Sequence, residues 1–315
     1  MEARRTESKR DVPMRVFGYD ASAYSGYYLG EFTSALAYIE KGLAIYDPMD
    51  RPFYNELLPN DMLVQLLCHS TVSLACLGFI DQSLSRVDEL LAKSRRHSNP
   101  LNLAVALAWA WITGWSVLTE PKLLLQYADE NLALSTEHGI GFFVAMASIQ
   151  RGWCLVAMGL ADEGVPLQLT GLASLHQMGF MTMTPLWLTV LSDACRRHGE
   201  FQRALGHIRQ AQQIADDTQE HMIQAETLRL CRDLLRCTGE PAAAERSYGE
   251  ALALARRQSA KLWELRVGTS LTRLWRDQGR RTEARDLLAP IYGWFTEGFD
   301  RPVLQDAKAL LNELT

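Results

Sequence analysis

The sequence has almost no runs in which apolar and polar residues alternate, the pattern that predicts half-buried strands. It also has no excess of basic residues, because 32 Lys and Arg stand against 37 Asp and Glu, for a net charge of −5. Nucleic acid and anionic membrane surfaces are therefore not expected as partners. Apolar residues recur instead at helical spacing, which predicts an all-α protein.

Motifs that carry catalysis or hold a cofactor are missing too. The chain has no P-loop, no dinucleotide-binding glycine pattern after a strand, no H-E-x-x-H, no EF-hand loop and no G-x-S-x-G turn. None of its seven histidines pairs with another histidine or with a cysteine at the i, i+4 spacing of a helical metal site. We therefore expect no enzymatic activity, no cofactor and no metal.

Cysteine is scarce and unpatterned, with six residues and no C-x-x-C pair. We interpret all six as small core residues of a protein in the reducing cytoplasm. They are Cys68, Cys76, Cys154, Cys195, Cys231 and Cys237.

Two segments could be mistaken for membrane or targeting signals. Residues 1–16 contain basic side chains but no apolar run, so we predict a disordered leader rather than a secretory signal. Residues 101–118 carry no charge and are just long enough to span a bilayer. A helix buried on both sides within a stack of helices has the same composition, and we favour that interpretation.

A recurring sequence motif divides the rest of the chain into repeats. "LGEFTSALAYIEKGLAI", "HGEFQRALGHIRQAQQIA" and "TGEPAAAERSYGEALAL" share one shape, and the glycine that opens four copies recurs every forty residues from Gly159. Including more distant copies, seven positions take this role: Gly30, Gly78, Thr119, Gly159, Gly199, Gly239 and Gly279. A fixed period of this length predicts a solenoid of helical hairpins.

The side chains after each of these positions fit that interpretation. Five residues on, six of the seven copies have a small residue, which lets two helices approach closely: Ala35, Ser83, Leu124, Gly164, Ala204, Ala244 and Ala284. Nine residues on, mostly bulky residues follow for the next hairpin: Ile39, Val87, Ala128, Gln168, Ile208, Tyr248 and Leu288. The glycine itself favours a left-handed helix end.

Each hairpin is thus an A helix, a short turn and a B helix. We predict the A helices at 18–28, 61–76, 100–117, 142–157, 183–197, 220–236 and 261–277. The Gly–x–aromatic and small-residue pattern resembles the tetratricopeptide repeat, although the period exceeds that family's 34 residues. We predict a right-handed superhelical solenoid of about seven such hairpins over 17–315, closed by a capping helix at about 302–314.

The C-terminal part carries a narrower resemblance. "WELR" at 263–266, "LWRDQG" at 274–279 and "YGWFTEGFD" at 292–300 resemble the closing segment of bacterial proteins that join an adenylate or guanylate cyclase to an AAA-type ATPase and a tetratricopeptide tail. "HSNPLNLAVALAWA", "STEHGIGF" and "IQRGWCLVAMG" extend the likeness over residues 26–315. It implies the sensor or scaffold part of such a protein, with a cyclase or ATPase domain as a partner. Those catalytic domains have no counterpart in this chain.

The A helices of such an array line its concave groove, so residues counted back from each turn are candidate binding residues. The early copies provide aromatic side chains: Tyr24, Tyr27, Trp109 and Trp153. The late copies provide charged ones: Asp193, Arg196, Glu226, Arg229, Asp233, Arg236, Arg266, Arg273 and Arg276. Arg151 is added because it interrupts an apolar helix and must reach water or a partner.

Two interpretations of the charged set remain open. The arginines could form charge-assisted hydrogen bonds with carboxylates of a bound peptide or protein. Alternatively, they could pair with acidic residues of adjacent A helices. The aromatic set could line the groove or fill gaps between hairpins, as large aromatics commonly do. We predict a regulatory scaffold that binds a protein or peptide, with small-molecule sensing as the alternative.

Overall fold

The computed structural model describes the backbone of residues 2–96, 98–118, 120–237 and 241–314, and their side chains except at 2–10, 236–237 and 241–247. Within these ranges all regular structure is helical, which confirms the predicted all-α class. The fold is a solenoid of tetratricopeptide-like hairpins, in which each A helix packs on its own B helix.

Seven hairpins follow one another along the residues that the structure describes. Their A helices are α1 Glu2–Leu29, α4 Met62–Leu77, α6 Pro100–Val117, α8 Gly141–Ala157, α10 Thr184–Arg197, α12 Gln224–Cys237 and α14 Lys261–Asp277. Their B helices are α2 Phe32–Ile45, α5 Ile80–Ser94, α7 Pro121–Glu137, α9 Ala161–Gln177, α11 Phe201–Thr218, α13 Pro241–Arg257 and α15 Arg281–Tyr292. Two helices lie outside this pattern: α3 Arg51–Leu57, after a 3₁₀ turn at Pro48–Asp50, and α16 Pro302–Leu314.

The start of the chain differs from its prediction. We expected residues 1–16 to be a disordered leader, whereas the structure places residues 2–16 in α1. Pro13 and Val16 are already buried, and Val16 packs in a small cluster with Tyr54, Met62 and Leu66. The charged composition of the segment concealed this, since among the described side chains of residues 11–16 only Pro13 and Val16 are buried.

The predicted glycine turns are confirmed where the structure describes them. Five of the seven positions have a φ between 79° and 91°, and Thr119 and Gly239 lie outside the described residues. A second left-handed series was not predicted. It marks the ends of the B helices, again at forty-residue spacing: Gly139, Gly179, Gln219 and Ser259. Gln219 and Ser259 lack the glycine signal that would have revealed it.

Small residues bring the two helices of a hairpin together as predicted. A Cβ built on Gly164 would lie 2.4 Å from the carbonyl oxygen of Gly152, so α8 and α9 touch through their backbones. The bulky position four residues later is buried in all seven hairpins. The hairpins therefore bury the faces that none could bury alone.

The A helices form a closed ring. Each of α4, α6, α8, α10 and α12 contacts the next A helix, and α14 returns to contact α4. The superhelix thus completes one turn within six hairpins. The remaining terminal helices lie beside this ring, with α1 against α4, and α16 against α14 and α15.

Polar contacts join the two ends of the turn, and we call this junction the seam. The carboxylate of Asp81 accepts a hydrogen bond from the backbone N–H of Gly298 at 2.9 Å and lies 3.3 Å from Arg301. Gln82 donates to Glu297 from both its backbone and its side chain. The apolar part of the seam includes Phe79 and Trp294, whose ring centroids lie 5.8 Å apart.

The helix that could have been a membrane span lies inside the fold. α6 is the one described helix that is long and apolar enough to cross a bilayer, and 83% of it is buried in the structure. The five cysteines with described side chains are free and buried too. The side chain of Cys237 lies outside the described part.

Gly78 offers a direct test of the seam. It ends α4 at φ 91°, and an added Cβ would lie 2.8 Å from Trp294 and 2.9 Å from Lys261. Gly159 is a matched control, because it has the same φ but nothing within 4 Å of an added Cβ. Backbone strain should cost Gly159→Ala about 1–2 kcal/mol of unfolding free energy in urea. Gly78→Ala should lose at least about 1 kcal/mol more, since overpacking adds to the strain. Equal losses would show that the seam is loosely packed.

Candidate functional site

The late A helices place a network of charged side chains on the inner surface of the ring. Arg229 on α12 donates to both carboxylate oxygens of Glu226 at 2.7 Å and also pairs with Asp233. Arg266 on α14 donates to the same Glu226 at 2.8 Å. Helical spacing of three and four residues aligns the first pairs, and the next A helix supplies Arg266.

Asp193 on α10 is the centre of a second group. Its oxygens accept hydrogen bonds from Arg196 at 2.7 Å, from Arg197 at 2.8 Å and from the indole N–H of Trp153 at 3.0 Å. The guanidinium of Arg197 also lies over the Trp153 ring, 5.3 Å from its centroid. Trp153 belongs to α8, so this group ties two neighbouring A helices together.

The surroundings keep these buried carboxyls charged. Burial alone would raise the pKa of Asp193, but Arg197 and Arg196 outweigh it and lower that pKa well below its ordinary value. The pKa of Glu226 is lowered in the same way, since Arg229 and Arg266 overcome the cost of burial. Both groups are therefore anions at neutral pH.

Two cavities adjoin the network and share Arg229 and Arg266. The smaller, of about 90 Å³, reaches Trp115, Trp153 and the Asp193 group. The larger, of about 320 Å³, lies between α12, α14 and the start of α16. Its lining residues are Arg229, Arg266, Thr269, Ser270, Arg273, Pro302, Val303 and Asp306.

Other predicted residues lie apart from these cavities. Arg151 is half-exposed and pairs with Asp129 of α7 at 2.8 Å, at the contact between two hairpins. Arg276 pairs with Asp277 and with Glu313 of α16, and does not line either cavity. The side chain of Arg236 lies outside the described part of the chain.

The early aromatic residues mostly fill the core rather than an open groove. Tyr27, Trp109 and Trp153 are buried, whereas Tyr24 is partly exposed. The rings of Tyr24, Tyr27 and Trp109 surround the fully buried His69, with ring centroids 5.3–6.4 Å away. Of the two interpretations of the aromatic set, the three buried residues fit the filling of space between hairpins, and Trp153 also lines the smaller cavity.

Sequence reasoning missed several residues of the inner surface. Arg197 lies four residues after Asp193, so the i, i+4 spacing could have identified it. Trp115 and Ser270 lie on predicted A helices, six residues after Trp109 and three residues before Arg273, and both line a cavity. Asp306 belongs to the capping helix, and nothing in the repeat pattern indicated that it reaches Arg273.

Every arginine of the predicted set whose side chain is described has an acidic partner within the chain. Pairing within the chain, the second interpretation of the charged set, is therefore present in this structure. Among the described residues no group of three or more His, Cys, Asp or Glu could hold a metal ion. The arginines and hydroxyl groups of this surface can form hydrogen bonds with charged and polar groups.

Comparisons with known proteins show the fold. No family model and no curated protein sequence matches the chain. Among solved structures, a Rap protein complexed with competence and sporulation factor matches 97% of this chain and 97% of its own, at 12% identity and a TM-score of 0.56. NprR in complex with its cognate peptide NprX matches 95% of this chain and 82% of its own, at 12% identity and a TM-score of 0.58.

A third structure is a signal-transduction ATPase with numerous domains (STAND) and a tetratricopeptide-repeat sensor, from Pyrococcus horikoshii. It matches 90% of this chain at 11% identity and a TM-score of 0.51, and this chain covers 46% of its length. At such identities the likeness is one of fold, and it confirms a tetratricopeptide-like helical-repeat region.

Asp193 should stabilise the ring in a pH-dependent way. Its pKa is lower in the folded than in the unfolded chain, so its contribution is full above about pH 4 and is lost as the pH falls further. We expect Asp193→Asn to lose about 3 kcal/mol of unfolding free energy at pH 7, because two arginines keep no counter-charge. The difference from wild type should shrink toward pH 2 in urea titrations.

The control is Asp129→Asn, which removes the exposed partner of Arg151 and should change stability by less than about 1 kcal/mol. A pH-independent loss for Asp193→Asn would contradict the electrostatic role of this carboxyl.

Proposed function

We propose that the chain is a non-catalytic regulatory scaffold that binds a segment of a protein partner on the inner surface of its A helices. The observation that carries this proposal is the larger cavity, where three arginines and one carboxylate line a space between α12, α14 and α16. An arginine-rich surface with aromatic neighbours favours carboxylate and hydrogen-bonding groups of a peptide.

The fold comparisons support a peptide as the partner. NprR was solved in complex with its cognate peptide NprX, and the Rap protein was solved in complex with competence and sporulation factor. Each matches this chain over nearly the whole ring. In this chain the inner surface of the A helices carries the charged network.

The finer part of the proposal concerns the system to which the scaffold belongs. The likeness of residues 26–315 to the tail of cyclase–ATPase proteins, together with the tetratricopeptide sensor of the STAND ATPase, favours a cyclase or ATPase domain as the regulated partner. The five buried free cysteines fit the reducing cytoplasm in which such systems operate.

Peptides selected from a random displayed library on the immobilised full chain provide the test. Binding of the synthesised peptides is measured by fluorescence anisotropy at low and high salt. We expect Arg196→Ala combined with Arg273→Ala to weaken binding at least about tenfold, and the affinity of wild type to fall with salt. Arg229 is left intact, because it holds Glu226 and Asp233 in place.

The matched control is Arg203→Ala combined with Arg280→Ala. It also removes two positive charges, each paired with a glutamate at the start of a B helix. If the control weakened binding as much as the inner pair, net charge rather than the inner surface would determine affinity. Peptides that bound all three proteins equally would contradict the proposal.

Small-molecule sensing is the second candidate, and the size of the larger cavity favours it. A volume of about 320 Å³ lies within the range of small-molecule sites. On this reading, one member of a panel of common metabolites should raise the melting temperature of the protein without any partner present. A panel without any shift would argue against this candidate.

A further inference from the structure

We infer that the cavity between α12, α14 and α16 is a site for an anionic oxygen group, a carboxylate or a phosphoryl group, and that Asp306 occupies it as an internal stand-in. This inference rests on the proposed function only for the kind of molecule, a peptide, that bears the anionic group. The cavity itself can be tested with free anions.

The cavity wall has more positive than negative charge. Its lining includes the guanidinium groups of Arg229, Arg266 and Arg273, and the carboxylate of Asp306 is the one acidic group in that lining. Thr269 and Ser270 add hydroxyl groups. Ser270 accepts a hydrogen bond from Arg229 and can donate its own proton into the cavity.

The three arginines are neutralised to different degrees. Arg229 is held on one side by Glu226 and on the other by Asp233, so most of its donors are used. Arg266 has one ion-pair partner among the described side chains, the carboxylate of Glu226, and its hydrogen bond goes to an oxygen that Arg229 also contacts. The positive charge of Arg266 is therefore only partly neutralised by carboxylates within the chain.

Arg266 is also held in place to receive a ligand. Its guanidinium lies 5.6 Å from the ring centroid of Trp263 and 6.0 Å from that of Trp115, and its side chain is 15% exposed. Burial lowers the pKa of this guanidinium from its ordinary value, although Glu226 opposes the shift. A buried cation that is fixed by aromatic faces and only partly neutralised gains most from an added anion.

Asp306 provides the anion that the wall lacks, but from a weak position. It pairs with Arg273, and the side chains of both are more than a third exposed. Surface pairs of this kind contribute about 0–1 kcal/mol, so an incoming anion can displace the Asp306 carboxylate at little cost. The apolar side of α16, which includes Leu304 and Leu310, stays buried while this side chain turns away.

α16 supplies a matched control seven residues further on. Glu313 pairs with Arg276 of α14, as Asp306 pairs with Arg273, and it is similarly exposed. Neither Glu313 nor Arg276 lines the cavity. A purely structural role for ion pairs between α14 and α16 would make the two pairs equivalent.

The experiment is calorimetric titration of the full chain with succinate, citrate, inorganic phosphate and pyrophosphate, at constant ionic strength. We expect Asp306→Asn to bind at least one of these anions about tenfold more tightly than wild type, because the internal competitor is gone. Arg273→Gln should bind it at least about tenfold more weakly. Glu313→Gln and Arg276→Gln should match wild type.

Tighter binding of succinate or citrate would identify the natural group as a carboxylate, and tighter binding of phosphate or pyrophosphate would identify it as a phosphoryl group. Equal gains for Asp306→Asn and Glu313→Gln would overturn the inference, because they would indicate a general charge effect. The absence of anion binding to both wild type and Asp306→Asn would overturn it as well.

The library-selected peptides, titrated against the same variants, separate this inference from the proposed function. Peptide binding without anion binding would contradict only the proposed anion site. Anion binding without any selectable peptide would contradict only the proposed peptide-binding function.

Discussion

The contact between α14 and α4 determines what the inner surface of this protein can be. In an open solenoid the A helices line a groove that water fills. Here the ring closes within six hairpins, so the A helices enclose their inward side chains. Charged groups placed there lose much of their hydration, and they persist only if other charges and hydrogen bonds replace the water. The pairing of Asp193 and Glu226 with arginines follows from that closure.

The same constraint explains why buried charges are closely paired with opposite charges, whereas charges at the rim are not. Deep in the ring, Glu226 is 3% exposed and bonds two arginines. At the rim, where α16 meets α14, pairs such as Arg273 with Asp306 are open to water and need no close balance. The wall of the larger cavity therefore carries its one acidic side chain, Asp306, at this exposed rim.

The sequence predicts the repeat unit far better than it predicts the ring. Forty-residue spacing is sufficient to place Gly159 and Gly199 at left-handed helix ends, and the small residue at Gly164 predicts the close approach of α8 and α9. Gln219 and Ser259 adopt the same left-handed conformation without glycine, so composition gave no signal. Closure depends on a small rotation at each hairpin, summed over six of them, and no local pattern encodes that sum.

Only the contacts within a single helix of the site could be predicted from the sequence. Arg229 with Glu226, and Arg196 with Asp193, are spaced three residues apart, and helical periodicity brings each pair together. The partners of Arg151 and Arg273 come from a B helix and from the capping helix. Those contacts arise when hairpins stack, so counting back from a turn finds the arginine but not the carboxylate it meets.

Contacts between neighbouring A helices repeat at close to one period. Trp153 donates to Asp193, and Arg266 to Glu226, each across forty residues, while Thr189 and Thr227 are 38 apart. The inner polar groups thus form successive links around the ring. In an open repeat array each hairpin is coupled only to its neighbours. Because α14 also contacts α4, a group bound between α12, α14 and α16 would touch a helix that packs against both ends of the turn. Closure therefore places the capping end of the chain in continuous contact with its early hairpins through α14 and α4.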